Sequence, residues 1–267
     1  MITGRKGRRA IVCTALLVPC FAGAAGVCRA QTLETETARL LTAGSWKLGG
    51  AYEFQHSSDG SEGAFPFLAE YGIRDNLEFA VEPVPYTAIR PATGAGATGG
   101  GDTEATLTWQ FRQESGRLPA MAVAGEVKFA TARNTQIGTR QTDYAVYFIA
   151  SKRFGKVDGH VNVAYTFVGD PPGAHLRNIY NFALAGVYRP TPTVDIFAEV
   201  LRNTSSLPGG ESGDAKTSVI PEAAGGETVG TVGAGRRIRE NLLLYVAVSY
   251  DNNGALQVRP GFTLRIH

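Results

Sequence analysis

Between Trp46 and His267 the sequence alternates apolar and polar residues through about twelve short segments. A β-strand with this period buries one face and exposes the other to water. The connections also alternate, between short turns and longer loops rich in Gly, Pro, Ser and Asn. Such a pattern is typical of a barrel with lipid outside and water inside. We therefore predict an all-β fold, a transmembrane antiparallel up-and-down β-barrel of about 12 strands.

The predicted strands follow one another closely. Their bounds are 46–55, 65–71, 77–86, 103–112, 121–129, 142–152, 160–168, 178–189, 194–203, 227–237, 242–250 and 256–266. The fourth alternates most cleanly, with Leu107 on the apolar face and Thr106 on the polar face. The tenth is rich in glycine, and its facing is ambiguous. Short connections are predicted at 72–76, 113–118, 153–159, 190–193 and 238–241, and longer ones at 87–101, 131–140, 169–177 and 204–226.

Aromatic residues of the apolar face cluster near the strand ends. One group, near the short turns, comprises Trp46, Tyr71, Trp109, Phe111, Phe148 and Tyr188. The other, near the long loops, comprises Phe54, Phe65, Phe129, Tyr144, Phe167, Tyr180 and Tyr250. Two aromatic girdles around an aliphatic band are typical of a lipid interface. A soluble β-sandwich would instead concentrate its rings in a core.

The N-terminus predicts export. Residues 1–9 carry four basic side chains, an apolar stretch follows, and Ala30 supplies a small residue for cleavage before Gln31. The alternative is a retained transmembrane helix. We predict a cleaved signal peptide at 1–30, a periplasmic lead-in or partial plug at 31–44 and an outer-membrane barrel at 45–267. The expected location is the outer membrane of a Gram-negative bacterium, reached with periplasmic chaperones and the barrel-insertion machinery.

Several function classes are disfavoured by the composition. All three cysteines (Cys13, Cys20 and Cys28) lie within the predicted signal peptide, so the mature chain would have no disulfide and no thiol chemistry. The net charge is only +2, and no basic block follows residue 30, which argues against a nucleic-acid partner. Gly94–Gly99 matches a dinucleotide fingerprint, but a strand follows it where the fingerprint requires a helix. We expect no cofactor and no metal.

Charged residues of the polar face are the candidate lumen lining. They are Glu53, Glu70, Glu78, Glu82, Glu104, Arg112, Glu126, Lys128, Asp143, Arg189, Glu199, Arg259 and Arg265, together with His160. A charge facing lipid at mid-depth would cost about 2–4 kcal/mol for Arg or Lys, so these side chains mark the wet face. Two interpretations stay open: an open pore, or a lumen closed by cross-strand salt bridges.

The chain resembles the outer-membrane transporters of the MetA-pathway-of-phenol-degradation family. The resembling stretches are EFAVEPVPY at 78–86, Gly101-Asp102, QTDYAVYFIASKRFGKVDGHVNVAYTFVGD at 141–170 and Asn178-Ile179-Tyr180-Asn181. The resemblance covers nearly all of residues 45–267 and depends on pattern more than on dense motifs. It implies a barrel that passes small, often hydrophobic compounds.

We expect a channel or transporter for the passive passage of small molecules, hydrophobic or aromatic compounds included. Its partners would be outer-membrane lipid and a small-molecule solute. One alternative is a closed structural barrel. A lipid-active barrel enzyme is a further alternative, and it needs a nucleophile–base pair on the lipid-facing surface. His56-Ser57-Ser58 is the only nearby Ser–His combination, and consecutive loop residues do not make a triad, so we do not expect an enzyme.

Overall fold

The computed structural model describes residues 33–173, 175–207 and 226–267, so the predicted signal peptide lies outside the described residues. Among the described residues, no helix is long and apolar enough to cross a membrane. The strands are β1 (Trp46–Ala51), β2 (Glu53–Ser57), β3 (Gly60–Phe65), β4 (Phe67–Arg74), β5 (Leu77–Pro83), β6 (Tyr86–Pro91), β7 (Ala97–Gly99), β8 (Thr103–Arg112), β9 (Ala120–Phe129), β10 (Asp143–Phe154), β11 (Val157–Phe167), β12 (Ile179–Thr191), β13 (Val194–Asn203), β14 (Glu227–Arg239), β15 (Leu242–Asp251) and β16 (Leu256–Ile266).

These strands form one closed antiparallel barrel with 12 wall positions, which confirms the predicted fold class. From β8 to β16 each strand pairs with its neighbours in chain order. The first four wall positions are each divided in two, as β1 with β2, β3 with β4, β5 with β6, and β7 with β8. Closure is made by β16, which pairs with β1 near the short turns and with β2 near the long loops.

Prolines account for two of the four divisions. Pro66 separates β3 from β4, and Pro85 lies between β5 and β6. Proline has no backbone N–H and cannot donate to the ladder of a central strand. Backbone bonds still cross the divided region, from Ala51 N to Pro66 O at 3.2 Å and from Gly101 N to Val84 O at 2.7 Å. The wall therefore stays continuous there.

The wall extends further at the long-loop end than the sequence predicts. β3 begins at Gly60 and pairs with β6, and β6 forms a hairpin with β7. The prediction of an unpaired connection over 87–101 is therefore wrong. β3 and β7 are rich in glycine and small residues, and in β6 the apolar Ile89 faces inward and Arg90 outward, so strand pairing there leaves little trace in the hydropathy pattern. The second half of Gly94–Gly99, the stretch that matches the dinucleotide fingerprint, forms strand β7.

Alternation sorts the side chains between the two faces of the barrel. Leu107 and Trp109 are exposed on the outside, whereas Thr106 and Thr108 are buried inside. In the glycine-rich β14, whose facing is ambiguous from the sequence, the structure shows which side chains face inward. Thr231 and Arg237 lie on the inner face, and Val232 lies on the outer face. The outer surface is thus apolar around the circumference, and the inner surface is polar.

Outward aromatic rings lie at both ends of the wall. At the short-turn end Trp46 contacts Tyr71, with ring centroids 4.6 Å apart. At the long-loop end Tyr165 contacts Tyr180 at 4.8 Å. Rings at these two levels match the girdles expected of a barrel at a lipid interface.

Candidate functional site

Residues 33–44, which we call the N-terminal segment, lie inside the barrel. Ala38 is fully buried, and Leu33 is nearly so. The segment has no regular secondary structure, and its backbone is bound by inward side chains from strands all around the wall. The sequence predicts a lead-in or a partial plug at 31–44, and that alternative stays a prediction. The structure shows that residues 33–44 contact the inner face of the wall along their length.

Glu199 on β13 binds the first part of the N-terminal segment. Its carboxylate accepts hydrogen bonds from the backbone N–H groups of Glu34, at 3.2 Å, and Thr35, and from the Thr35 hydroxyl. Glu199 is 3% exposed, so these bonds form away from bulk water. Charge-assisted bonds of this kind are stronger than those between neutral groups.

The middle of the segment is held by uncharged side chains. Ser151 Oγ accepts from Ala38 N at 2.8 Å, and Gln110 Nε2 donates to Ala38 O at 2.6 Å. The carboxamide of Asn162, oriented to satisfy its neighbours, accepts from Glu36 N at 2.6 Å and donates to Glu36 O at 3.1 Å. The wall thus recognises the peptide backbone of the segment as much as its side chains.

The segment leaves the barrel at the short-turn end. Glu78 accepts from Leu41 N at 2.7 Å, and Asp75 accepts from Ala43 N at 2.9 Å. Gly44 N then donates to Gly72 O at 2.8 Å, immediately before β1 begins. The segment therefore occupies the half of the lumen that faces the short turns.

Two ion-pair clusters hold the side chains of the segment. Glu34 pairs with Arg259, which is 1% exposed and also lies 3.4 Å from Glu53. Arg39 pairs with Glu114 at 2.7 Å and with Asp158 at 3.1 Å. Each cluster joins the segment to a different side of the wall.

Glu114 lies in the turn between β8 and β9, outside the strands. Its carboxylate accepts hydrogen bonds from Lys152 at 2.9 Å and from Arg39. These cationic donors lower the pKa of Glu114 to about 2. The carboxylate is therefore charged, and able to hold Arg39, at neutral and mildly acidic pH.

Apolar contacts complete the binding of the segment. Leu33 packs on Phe197 and Tyr245, whose rings lie 6.3 Å apart in an edge-to-face arrangement. Glycine permits these rings to lie flat against the wall, since a Cβ on Gly233 would come within 2.3 Å of the Phe197 ring and one on Gly261 within 2.5 Å of the Tyr245 ring. We call Phe197, Tyr245, Ala185 and Ala247 the aromatic patch.

A second apolar surface lies under Ala38. It consists of inward side chains of β9, β10 and β11, which we call the alanine patch: Ala120, Ala122, Ala124, Ala145, Tyr147, Ile149 and Ala164. Most of these side chains are small, so the wall here leaves space that the segment fills. Both apolar surfaces are covered while the segment is bound.

Most of the predicted charged candidates lie on the inner face. Glu53, Glu70, Glu82, Glu104, Glu126, Asp143, His160, Glu199 and Arg259 are buried, and Glu78, Lys128 and Arg189 are partly buried. Among these, Lys128 pairs with Asp143, and Arg189 pairs with Asp158. Glu70 pairs with Lys47 at 2.8 Å, and Glu126 accepts from Tyr147 at 3.0 Å. Many of these charges are thus bound to the wall or to the segment.

Arg112 and Arg265 lie apart from this interior set. Both are exposed at the short-turn end. A bulge between Gln110 and Arg112 pairs Arg112 with Met121, which follows the inward Ala120 and precedes the inward Ala122. Arg112 is thereby displaced toward the outer face. The bulge is a property of the β8–β9 pairing and has no counterpart in the alternation of β8 alone.

Several residues that hold the segment were not among the charged candidates. Ser151, Gln110 and Asn162 bind its backbone, and Glu114 and Asp158 bind Arg39. The polar faces of the strands carry the first three, so their orientation was predictable. Their role was not, because it depends on contacts with residues more than seventy positions away in sequence.

Ser151 Oγ also lies 2.8 Å from His160 Nδ1, inside the barrel. The same Oγ accepts from Ala38 N, so the pair is part of the support for the segment. His56-Ser57-Ser58, the combination considered for a lipid-active enzyme, is arranged differently. Ser57 Oγ accepts from Asp59 N, and Ser58 donates to Asp59, with no described bond from either serine to His56. Within the described ranges, no cluster of three or more metal-ligating side chains is found.

The long-loop end is organised by a separate set of contacts. The connection between β9 and β10 folds back so that Ala132 and Ile137 pack on Ile89 and Ala97 of the β6–β7 hairpin. Asp102 accepts from Ala132 N at 2.9 Å. These contacts order the connection over the wall extension.

No protein-family model matches this chain, and no curated protein matches it in sequence. Solved structures share its fold. The COG4313 outer membrane channel from Pseudomonas putida F1 has a TM-score of 0.64 and 13% identity, over 88% of this chain and 100% of that one. The KdgM porin has a TM-score of 0.56 and 12% identity, over 83% and 99%. The NanC porin has a TM-score of 0.57 and 9% identity, over 81% and 98%. This chain has the fold of outer-membrane channels and porins, and its membership of the family predicted from the sequence stays a prediction.

Proposed function

We propose that this protein is an outer-membrane channel through which small molecules pass passively. The apolar outer face between two aromatic girdles supports a location in a lipid bilayer. The fold shared with outer-membrane channels supports the outer membrane in particular. On this proposal the chain is exported by its signal peptide and inserted by the barrel-insertion machinery.

The observation that carries the proposal is how the lumen is filled. The short-turn half is occupied by a segment of chain, and the wall's own side chains do not meet there in an apolar core. The segment is bound by hydrogen bonds and ion pairs that water can replace, and it continues into Ser45 and β1 at the barrel mouth. Its withdrawal toward the short-turn end would open a passage without unfolding the wall.

The aromatic patch and the alanine patch support an amphipathic or hydrophobic solute. With the segment withdrawn, both apolar surfaces would face the lumen, from neighbouring parts of the wall. The aromatic patch now holds the side chain of Leu33, so it accepts a branched aliphatic group. Pockets of mainly apolar lining with a few polar groups are typical of small-molecule sites. A small aliphatic or aromatic compound with one polar group matches this lining.

Single-channel recording in planar bilayers tests the proposal. We compare the mature chain with a variant that lacks residues 31–43. The variant is expected to show a larger and steadier conductance, because the obstruction has been removed. Uptake of small aromatic solutes into liposomes should rise in parallel.

The second candidate is a closed structural barrel. It is favoured by the ion pairs of the inner wall, among them Arg237 with Asp195 at 2.7 Å and Lys47 with Glu70 at 2.8 Å. If neither the mature chain nor the shortened variant conducts, although both are folded, the closed barrel is the correct interpretation.

A further inference from the structure

Cationic side chains of the wall fall into two classes. The inward ones pair with carboxylates: Lys47, Lys128, Arg153, Arg189, Arg237 and Arg259. Several exposed arginines of the wall have no ion-pair partner among the described residues, and two outward ones, Arg202 on β13 and Arg236 on β14, lie on neighbouring strands. An unpaired arginine at the edge of a face covered by lipid is available to an anionic group from outside the chain.

These two arginines lie at opposite edges of the apolar band. Arg202 pairs with Thr228 in the register, and Arg236 pairs with Val194, so they are eight residues apart along the β13–β14 ladder. That spacing is about 26 Å along the strands, or about 20 Å across the membrane at a tilt of about 40°. The outward side chains between them are apolar: Ile196, Ala198, Val200, Val232 and Ala234. Each arginine can therefore extend its guanidinium to the headgroups of its own leaflet.

More hydroxyl groups lie around Arg202 than around Arg236, whose partner Val194 has Tyr188 as a diagonal neighbour. Thr228 lies directly opposite Arg202 across the ladder. Tyr180 is diagonal to Arg202, because Phe182 is the direct partner, and Tyr250 is diagonal to Thr228, because Gly230 is the direct partner. Diagonal neighbours lie about 7–8 Å apart, within reach of long and aromatic side chains. Arg236 instead faces Val194 and Leu244.

We propose that Arg202, Thr228, Tyr180 and Tyr250 form a site for the phosphate of a phosphorylated glycolipid in the leaflet at the long-loop end. The guanidinium fork matches a phosphate in bidentate geometry, and the hydroxyl groups can donate to phosphate or sugar oxygens. Tyr180 and Tyr250 are 52% and 60% exposed, so their rings are available to the lipid. The site rests on the proposed outer-membrane location, because there the outer leaflet is glycolipid.

The test is a binding titration of the purified mature chain in a maltoside detergent, followed by native mass spectrometry. The probes are bisphosphorylated lipid A, the same lipid after dephosphorylation, and phosphatidylglycerol. Arg202→Gln is the test variant, and Arg236→Gln is the matched control. Arg202→Lys keeps the charge but loses the planar fork. Heat-dependent gel migration shows whether each variant has folded.

Lipid A is expected to bind the parent and Arg236→Gln alike, and Arg202→Gln about tenfold more weakly. Arg202→Lys should lie between, and the dephosphorylated lipid should not distinguish the parent from Arg202→Gln. Equal binding of lipid A to the parent and Arg202→Gln would overturn the site. Equal binding of phosphatidylglycerol and lipid A to the parent would overturn its assignment to a glycolipid. Arg202 lies outside the lumen, so a failure here leaves the conductance test of the proposed function unaffected.

Discussion

An arginine placed on the outer face should lower the free energy of unfolding by an amount that depends on its depth in the bilayer. Leu107 on β8 and Leu256 at the long-loop end of β16 are both outward and 48% and 47% exposed. Leu107→Arg should lower the free energy of unfolding by about 2–4 kcal/mol if the residue lies near the bilayer midplane, and Leu256→Arg by about 0–1 kcal/mol near the interface. Denaturant titration of lipid-refolded protein measures both. Equal losses would show that the barrel does not span the bilayer in this register.

Glu114 provides a pH-dependent contact at the residue scale. Its pKa of about 2 lies below the ordinary value, because Lys152 and Arg39 donate to the carboxylate. A lowered carboxyl pKa stabilises the folded form above the ordinary pKa, and this contribution is lost as the pH falls toward 2. We expect Arg39→Gln to raise the pKa of Glu114 measured by carbon NMR. The same pKa in parent and variant would mean that Arg39 does not contact Glu114.

The orientation of individual side chains was largely predictable from the sequence. Leu107 and Thr106 lie on the predicted faces, because a period of two leaves no freedom once one face is buried. Arg112 differs, since a bulge in the β8–β9 pairing displaces it. The site residues Ser151 and Asn162 could be placed on the inner face but not assigned a ligand. Their ligand is another part of the chain, distant in sequence.

At the scale of elements, the N-terminal segment is the least predictable part of the described chain. It has no periodicity, and its position depends on inward groups of strands distributed from β5 to β16. The strands were predictable because alternation is local. β6 was missed because its apolar Ile89 faces inward and its Arg90 outward, and β7 because it has only three residues.

Removing the charge of Glu199 should weaken the binding of the N-terminal segment to the wall. Glu199→Gln keeps the side-chain size but removes the charge that accepts from Thr35 and Glu34. We expect release of the segment to become easier by about 1–2 kcal/mol. Amide hydrogen exchange at Thr35 and Ala38 should speed up accordingly.

Asp143→Asn is the matched control for that change. Asp143 lies on β10, and its carboxylate pairs with Lys128 and accepts from Gly169 N at 2.8 Å. No described hydrogen bond or ion pair joins it to the N-terminal segment. If Asp143→Asn accelerates exchange as much as Glu199→Gln does, the effect comes from the charge of the lumen as a whole and not from the contact.

At the scale of the whole molecule, the N-terminal segment lies within the short-turn half of a polar lumen. The barrel wall is continuous, with apolar side chains outside and ion pairs inside. A wall of this kind needs no rearrangement for solute passage if the segment moves. We therefore propose that the segment is the obstruction to solute passage.

A reversible disulfide tether tests whether the N-terminal segment is the obstruction. Thr37 Oγ1 and Ser151 Oγ lie 3.4 Å apart, and the sequence has no cysteine after residue 28, so Thr37→Cys with Ser151→Cys can join the segment to β10 without competing thiols in the mature chain. Single-channel conductance is recorded for the oxidised double variant, again after reduction, and for each single variant. We expect a low, steady conductance when the tether is oxidised and recovery of larger openings on reduction, with the single variants insensitive to the reductant. The same conductance in the oxidised and reduced states, with the disulfide shown to have formed, would contradict this proposal.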